Sequence, residues 1–152
     1  MKLRCSLTVV QFIIEIFISQ FSEKLQSIVL SVHNGVDCGG SSVYIEIVRN
    51  GAVTCKTKVS DVFHAGTTIK WEGSELGSCK EKKFDQHHES ISYLTKTSHS
   101  DFFQSDDFCP KNLIVQMDSN RTFESDVTMT EWVDKNKNSE IIRTATLMKH
   151  LV

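Results

Sequence analysis

The sequence predicts an all-β protein: a single antiparallel β-sandwich of about seven or eight strands, stapled by disulfides and preceded by an N-terminal signal peptide. Three observations lead to this prediction. Apolar and polar residues alternate with period two along much of the chain, turn-forming residues separate the alternating segments, and four cysteines lie beyond an apolar N-terminus. The 152 residues are enough for one core and short for two domains. We expect a monomer.

The first half of the predicted sandwich contains four strands. In residues 28–32 and 43–49, Ile, Leu and Val occupy alternate positions. Asn50-Gly51 follows the second of these segments, and both residues tolerate the positive φ of a type I′ hairpin turn. The return strand of this hairpin is predicted over residues 54–59, and a further strand with Trp71 over residues 67–72.

The second half contains the remaining strands. Residues 73–89 are polar, with Leu76 and Phe84 as the expected core anchors. The alternation then resumes in residues 90–97, 112–118, 122–133 and 141–148, and the third of these segments carries Trp132 near its end. No internal repeat or domain linker interrupts the pattern, so one antiparallel sandwich is expected.

The N-terminus is typical of a secretion signal. Lys2 and Arg4 precede a mostly apolar stretch over residues 7–21, although Glu15 interrupts it. The stretch is short for a transmembrane helix, and an amphipathic helix packed on the domain is the alternative. The predicted division is a signal peptide over residues 1–22 and a β-sandwich domain over residues 23–152. We expect a secreted, extracellular product that begins near residues 22–26.

The cysteines fit this location. Cys5 would leave with the leader, and the mature chain would keep Cys38, Cys55, Cys79 and Cys109, an even number that suits an oxidising compartment. Metal binding is the rival interpretation, but no Cys-x-x-Cys pair is present. Two disulfides are therefore expected.

Strand direction predicts how the cysteines pair. The first strand ends at what we call the upper end of the sandwich, beside Cys38, and the loop with Cys109 returns to that end. The Asn50-Gly51 hairpin defines the lower end, near which Cys55 and Cys79 are expected. A six-residue strand spans about 20 Å, whereas bridged Cα atoms lie within about 7 Å. The prediction is Cys38–Cys109 and Cys55–Cys79.

Several classes of function lack the residues that they need. The net charge is −2, and the one basic run, residues 80–83, is short, so nucleic acid is not expected as a partner. No G-x-S-x-G motif is present, and cysteines held in disulfides supply no thiolate. His87 and His88 are adjacent, so on an extended chain they point to opposite faces and cannot share a metal ion. We therefore expect a protein that is not an enzyme.

Four segments between residues 27 and 133 carry a family resemblance. They are Gly39-Gly40-Ser41-Ser42 ahead of Val43-Tyr44-Ile45-Glu46-Ile47, then Val62-Phe63-His64-Ala65-Gly66-Thr67-Thr68, Glu75-Leu76-Gly77, and the stretch from Thr122-Phe123 to Glu131-Trp132-Val133. Their order resembles the PLAT/LH2 family, the β-sandwich attached to lipoxygenases and pancreatic-type lipases. The resemblance implies docking onto a lipid surface or a protein. The chain departs from the family at Ser42, where Asp or Glu is frequent, and this departure weakens the case for calcium.

The loop over residues 98–108 has the most distinctive chemistry. Asp101, Asp106 and Asp107 offer hard oxygen ligands, so calcium is the one cofactor to consider, although their spacing is not that of a calcium loop. Phe102 and Phe103 are candidates for insertion into a lipid interface. In the alternative interpretation, the loop is polar and its phenylalanines pack back onto the sandwich.

The sequence thus predicts a secreted, non-catalytic binding module whose partner is a membrane lipid surface or an extracellular protein. Asn120-Arg121-Thr122 adds one glycosylation sequon, at Asn120. Two other classes of function stay open. One is a small secreted enzyme or toxin with a site near His99, Asp101 and Asp106, and the other is a structural extracellular protein.

Overall fold

The computed structural model describes residues 9–14, 16, 21–35, 42–98, 108–126 and 141–149. Residues 9–14 are helical, and no helix within these described residues is long and apolar enough to cross a membrane. The strands are β1 (Ser22–Val32), β2 (Ser42–Arg49), β3 (Ala52–Lys56), β4 (Thr68–Glu72), β5 (Lys83–Asp85), β6 (Ser90–Ser98), β7 (Pro110–Met117), β8 (Thr122–Asp126) and β9 (Arg143–Leu147). A 3₁₀ segment, Gly73–Cys79, lies between β4 and β5.

These strands form one antiparallel sheet that curls into a sandwich, as the sequence predicts. The order is β3-β2-β6-β9-β8-β7-β1-β4, and β5 also pairs with β1. Within the described residues, the ladder between β8 and β9 is short, with two register positions, Phe123 with Leu147 and Glu124 with Thr146. The Tyr93 hydroxyl of β6 donates to Ser125 Oγ of β8 at 2.8 Å, so a side-chain hydrogen bond joins the two neighbours of β9.

The core follows from the alternation of apolar residues. The inward positions of β1 and β2 include Ile28, Leu30, Ile45 and Ile47, which are all inaccessible to solvent. Burying a side chain of this size contributes about 1.5–3 kcal/mol. The predicted anchors Leu76 and Phe84 are both buried, so the polar stretch between β4 and β6 is fixed to the core at two points. Trp71 is buried too, and its indole N–H donates to the Lys58 carbonyl oxygen at 2.9 Å.

The short strand β5 was not predicted. It pairs with residues 22–24 of β1, whereas β4 pairs with residues 27–31 of the same strand. Both are antiparallel to β1, so β4 and β5 run in the same direction along one edge of the sheet. The additional strand therefore introduces no reversal of chain direction between Trp71 and Ser90. Each later strand still runs toward the end of the sandwich, upper or lower, that the sequence predicts.

The Cys55–Cys79 disulfide is present, as predicted, with its Cα atoms 4.9 Å apart. Cys55 lies on β3, at one edge of the sheet, and Cys79 ends the 3₁₀ segment beside the other edge. Hydrogen bonds from Lys58 N to Glu75 O (3.0 Å) and from Lys56 N to Ser78 Oγ (2.9 Å) join the same two segments. The disulfide therefore closes the curled sheet at the place where its edges meet.

The second pairing stays a prediction. Cys109 is disulfide-bonded, but Cys38 lies outside the described residues. The backbone N–H of His33 donates to the Cys109 carbonyl oxygen at 2.9 Å. Cys109 therefore lies beside the end of β1, and Cys38 follows His33 by five residues. This placement agrees with a Cys38–Cys109 bond at the upper end.

Three strand boundaries differ from the sequence interpretation. The first strand begins at Ser22 rather than at residue 28, because Glu23 is buried in an ion pair with Arg121 rather than solvated. The return strand of the hairpin is Ala52–Lys56; Thr57 N still donates to Ile45 O of β2, but Lys58 N donates to Glu75 O of the 3₁₀ segment instead. The strand predicted over residues 122–133 is described as β8 only to Asp126, and Trp132 lies outside the described residues.

The position of β1 bears on the predicted leader. A product that begins at Ser22 would keep β1 whole, whereas a product that begins at Gln26 would lack the whole segment that pairs with β5. Glu23 and Leu25, both buried, would be lost with it. The earlier start keeps all the described contacts of β1, and both the leader and its cleavage site stay predictions.

Gly77→Ala should destabilise the fold by about 2–3 kcal/mol in chemical denaturation. Gly77 has φ +59 and ψ −133, a region that side chains strain by roughly 1–3 kcal/mol. A Cβ there would also lie 2.5 Å from the Lys56 carbonyl oxygen, where the sheet edges meet. Gly51→Ala is the matched control, because Gly51 also has positive φ but nothing lies within 4 Å. Equal losses from the two variants would show that the close approach is relieved at no cost.

Candidate docking surface at the upper end

The connection between β3 and β4 crosses the upper end of the sandwich from one sheet edge to the other. At its start, Ser60 N donates to Val43 O at 2.8 Å, and Val43 N donates back to Ser60 Oγ at 3.0 Å. At its end, Gly66 N donates to His33 O at 3.0 Å, beyond the last residue of β1. The backbone of this connection is therefore fixed at both ends.

Two valines on this connection face solvent. Val59 is 48% exposed and Val62 is 45% exposed, whereas the neighbouring Phe63 is buried. The Ser60 bonds to β2 lie between the two valines and hold the backbone in place. A single exposed valine needs no explanation, but here two lie within four residues on one anchored connection at one end of the fold. We call Val59 and Val62 the upper-end valines.

The predicted functional loop is attached beside these valines. Its first residue, Ser98, is paired with Ser42 at the top of the β2–β6 ladder. Its last residue, Phe108, is fully buried and packs edge-on against Phe63, with ring centroids 5.9 Å apart. Both ends of the loop thus lie at the upper end, and the phenylalanine that closes it belongs to the core.

The predicted site residues within the loop lie outside the described residues. These are His99, Asp101, Phe102, Phe103, Asp106 and Asp107. Calcium binding and lipid insertion by these residues stay predictions. Among the residues that the structure does describe, no group of three His, Cys, Asp or Glu side chains could hold a metal ion.

Two other sequence features lie at the lower end. His87 and His88 form the exposed turn between β5 and β6, and the His87 ring stacks on Phe21 with centroids 5.8 Å apart. Asn120 is exposed in the turn between β7 and β8, where its φ is +68. Its side chain is accessible to solvent, and glycosylation there stays a prediction.

The upper-end valines were not recognised from the sequence as candidate binding residues. Val59 falls within the predicted return strand, and Val62 falls within one of the segments that resemble the family. The polar Ser60-Asp61 between them shows that the strand pattern has ended, and this signal could have marked the valines as exposed. What the sequence could not show is the pair of hydrogen bonds between Ser60 and Val43 that hold the connection in place.

Comparisons with known proteins show the fold. No family model matches the chain, and no curated protein matches it. Three solved structures of lipoxygenase deletion variants match with a TM-score of 0.51 and 13% identity, and one of them is a complex with arachidonate. Each match covers 82% of this chain and 16% of the lipoxygenase chain. The fold is thus the PLAT/LH2-like β-sandwich that the sequence resembles, and the matched part is a small fraction of the lipoxygenase.

Proposed function

We propose that this chain is a secreted, non-catalytic module that docks onto a lipid surface through its upper end. The observation that carries the proposal is the exposure of Val59 and Val62 on an anchored connection, beside both attachment points of the loop with Phe102 and Phe103. The likeness of the fold to part of a lipoxygenase supports it, because the PLAT/LH2 resemblance implies docking onto a lipid surface or a protein.

The energetics require several side chains to act together. Full burial of one Val or Phe side chain contributes about 1.5–3 kcal/mol, and insertion into a lipid interface buries only part of each. A single myristoyl chain gives marginal membrane binding, with an association constant of about 10⁴ M⁻¹. The upper-end valines alone would therefore bind weakly, and Phe102 and Phe103 would supply most of the apolar area.

Calcium would strengthen the docking if the loop aspartates bind it. Asp101, Asp106 and Asp107 would otherwise bring three negative charges close to an anionic lipid surface, which repels them. A bound Ca²⁺ takes carboxylate and other oxygen ligands, so it would remove this repulsion and leave positions for lipid oxygens. Dependence on Ca²⁺ is thus the expected signature of these residues.

Vesicle flotation tests the proposal. The protein is expected to float with phosphatidylserine-containing vesicles, more strongly with Ca²⁺ than with a chelator. Phe102→Ala combined with Phe103→Ala should abolish flotation while changing the free energy of unfolding by less than about 0.5 kcal/mol, as is usual for exposed positions. A loss of several kcal/mol would instead place these phenylalanines in the core.

Two matched valine substitutions, one at each end of the molecule, test which end docks. Val62→Ser should weaken flotation, whereas Val53→Ser should not, because Val53 is similarly exposed (51%) but lies next to the hairpin at the lower end. Flotation of Val62→Ser at the wild-type level would rule out docking through the upper end.

Secretion is tested by recovering the expressed protein from the culture medium. The intact mass of the recovered protein shows where the leader ends.

A further inference from the structure

A cleft of about 590 Å³ opens at the lower end of the sandwich, opposite the proposed docking surface. Its floor is apolar and is formed by Ile47, Phe84, Ile91, Met117 and Phe123, which come from five different strands. These side chains are at most 5% exposed, so they belong to the core and only their outer atoms border the cleft. Its volume lies within the range of about 300–1,000 Å³ that is usual for small-molecule sites.

The carboxylates at the rim of the cleft are already engaged. Glu23 accepts hydrogen bonds from Arg121 Nη1, at 2.7 Å, and from the Ser119 hydroxyl. Asp85 Oδ1 accepts a hydrogen bond from the backbone N–H of His87 at 2.8 Å. This bond lowers the pKa of the Asp85 carboxyl below its ordinary value, and nearby positive charges add to the effect.

The two cations at the rim, Arg49 and Lys83, form fewer and longer polar contacts than the carboxylates. Arg49 Nη1 donates to the Lys83 carbonyl oxygen at 3.4 Å, a long bond, and the guanidinium lies 4.7 Å from the centroid of the Phe84 ring. Within the part of the chain that the structure describes, no carboxylate forms an ion pair with Arg49 or with Lys83. Arg49 is one of the positive charges that lower the pKa of the Asp85 carboxyl, but it and Lys83 keep side-chain hydrogen-bond donors that no described carboxylate accepts, and Arg49 lies over the Phe84 ring.

We propose that this cleft binds a single-chain amphiphile with an anionic head, carboxylate or phosphate. Arg49 and Lys83 would bind the head, since a guanidinium can donate two parallel hydrogen bonds to either group. The chain would lie across the floor, against Phe84 and Ile91. A ligand without a charge would leave the two cations without a partner, and an inorganic anion would make no contact with the apolar side chains of the cleft. The site is independent of the docking surface at the other end.

Four probes separate these contributions: decanoate, decyl phosphate, 1-decanol and inorganic phosphate. Each is titrated below its micelle concentration into the ¹⁵N-labelled protein while amide resonances are followed. Decanoate or decyl phosphate should shift resonances of residues 47–49, 83–85 and 90–92 saturably, and the tighter of the two identifies the head group. Decanol should need about tenfold more ligand, and phosphate should cause no comparable shifts. Equal affinity for decanol and both anions, or shifts confined to other residues, would overturn the proposal.

Variants test the assignment of residues. Arg49→Gln should weaken binding of the preferred anion about tenfold and leave decanol binding unchanged, with Lys56→Gln, an exposed lysine of β3 outside the cleft, as the control. Ser90→Trp, at an exposed position on the rim, should block binding of both the preferred anion and decanol. Both cleft variants should float with vesicles like the wild type. Failure of the proposed amphiphile site can therefore be distinguished from failure of the docking proposal. Wild-type anion affinity in Arg49→Gln would overturn the role of the cation.

Discussion

Arg121→Ala should lower the free energy of unfolding by about 3–5 kcal/mol, the cost of leaving one charge of a buried pair without its partner. The Glu23 side chain is 1% exposed, and Arg121 Nη1 donates to its Oε1 at 2.7 Å. Arg121 also donates to the His88 carbonyl oxygen and lies over the Phe123 ring, 5.1 Å from its centroid. Its removal therefore disturbs the start of β1, the turn before β6 and the core together. Urea denaturation measures the loss.

An exposed ion pair on the same strand gives the control. Lys24 Nζ lies 2.8 Å from Glu81 Oε2, a similar distance, but both side chains are well exposed. Exposed pairs contribute little because water screens them, so Lys24→Ala should leave the urea midpoint almost unchanged. If Arg121→Ala and Lys24→Ala shifted the midpoint equally, burial of Glu23 would not hold in solution.

Removing the Cys55–Cys79 disulfide should cost about 3–4 kcal/mol. The bond closes a loop between residues separated by 24 positions, and the chain-entropy model assigns roughly this amount to a loop of that length. Cys55→Ala with Cys79→Ala is the preferred variant, because both positions are buried and alanine adds no polar group. Chemical denaturation of the double variant measures the loss, and the sheet edges should exchange amide hydrogens faster.

The alternative outcome for this variant is equally informative. The two edges are also joined by the Lys58–Glu75 and Lys56–Ser78 hydrogen bonds and by the indole of Trp71 on Lys58. If the double variant unfolded at the wild-type denaturant concentration, these contacts alone would hold the edges together. The disulfide would then have no measurable part in closing the sheet.

Much of the fold could be predicted because its determinants are local. Neighbouring residues determine both the alternation of buried and partly exposed side chains in β2 and the turn at Asn50-Gly51. Both turn residues have the expected positive φ. The prediction of the Cys55–Cys79 bond rests on strand direction. It is correct although β5 was not predicted, because β5 runs in the same direction as β4. A strand of opposite direction there would have changed the predicted ends of the later strands.

The errors arise where a distant residue decides the structure. The charges of Glu23 and Lys24 resemble a solvated segment, and only Arg121, 98 positions away, makes Glu23 part of a strand with a buried face. The three residues of β5 are too few for a periodic signal. Likewise, the exposure of Val62 depends on hydrogen bonds between Ser60 and Val43, and the lower-end cleft depends on strands brought together by the curl of the sheet.

Which end of the molecule meets the bilayer is the central question, and fluorescence quenching by brominated lipids answers it most directly. Val62→Trp and Val53→Trp place one reporter at each end, and both variants keep the two native tryptophans, Trp71, which is buried in the wild-type structure, and Trp132. Subtracting the wild-type signal isolates each reporter. With anionic vesicles and Ca²⁺, we expect strong quenching of the reporter at position 62 and little at position 53. Quenching at position 53 alone, or at neither position while the protein is bound to vesicles, would contradict docking through the upper end.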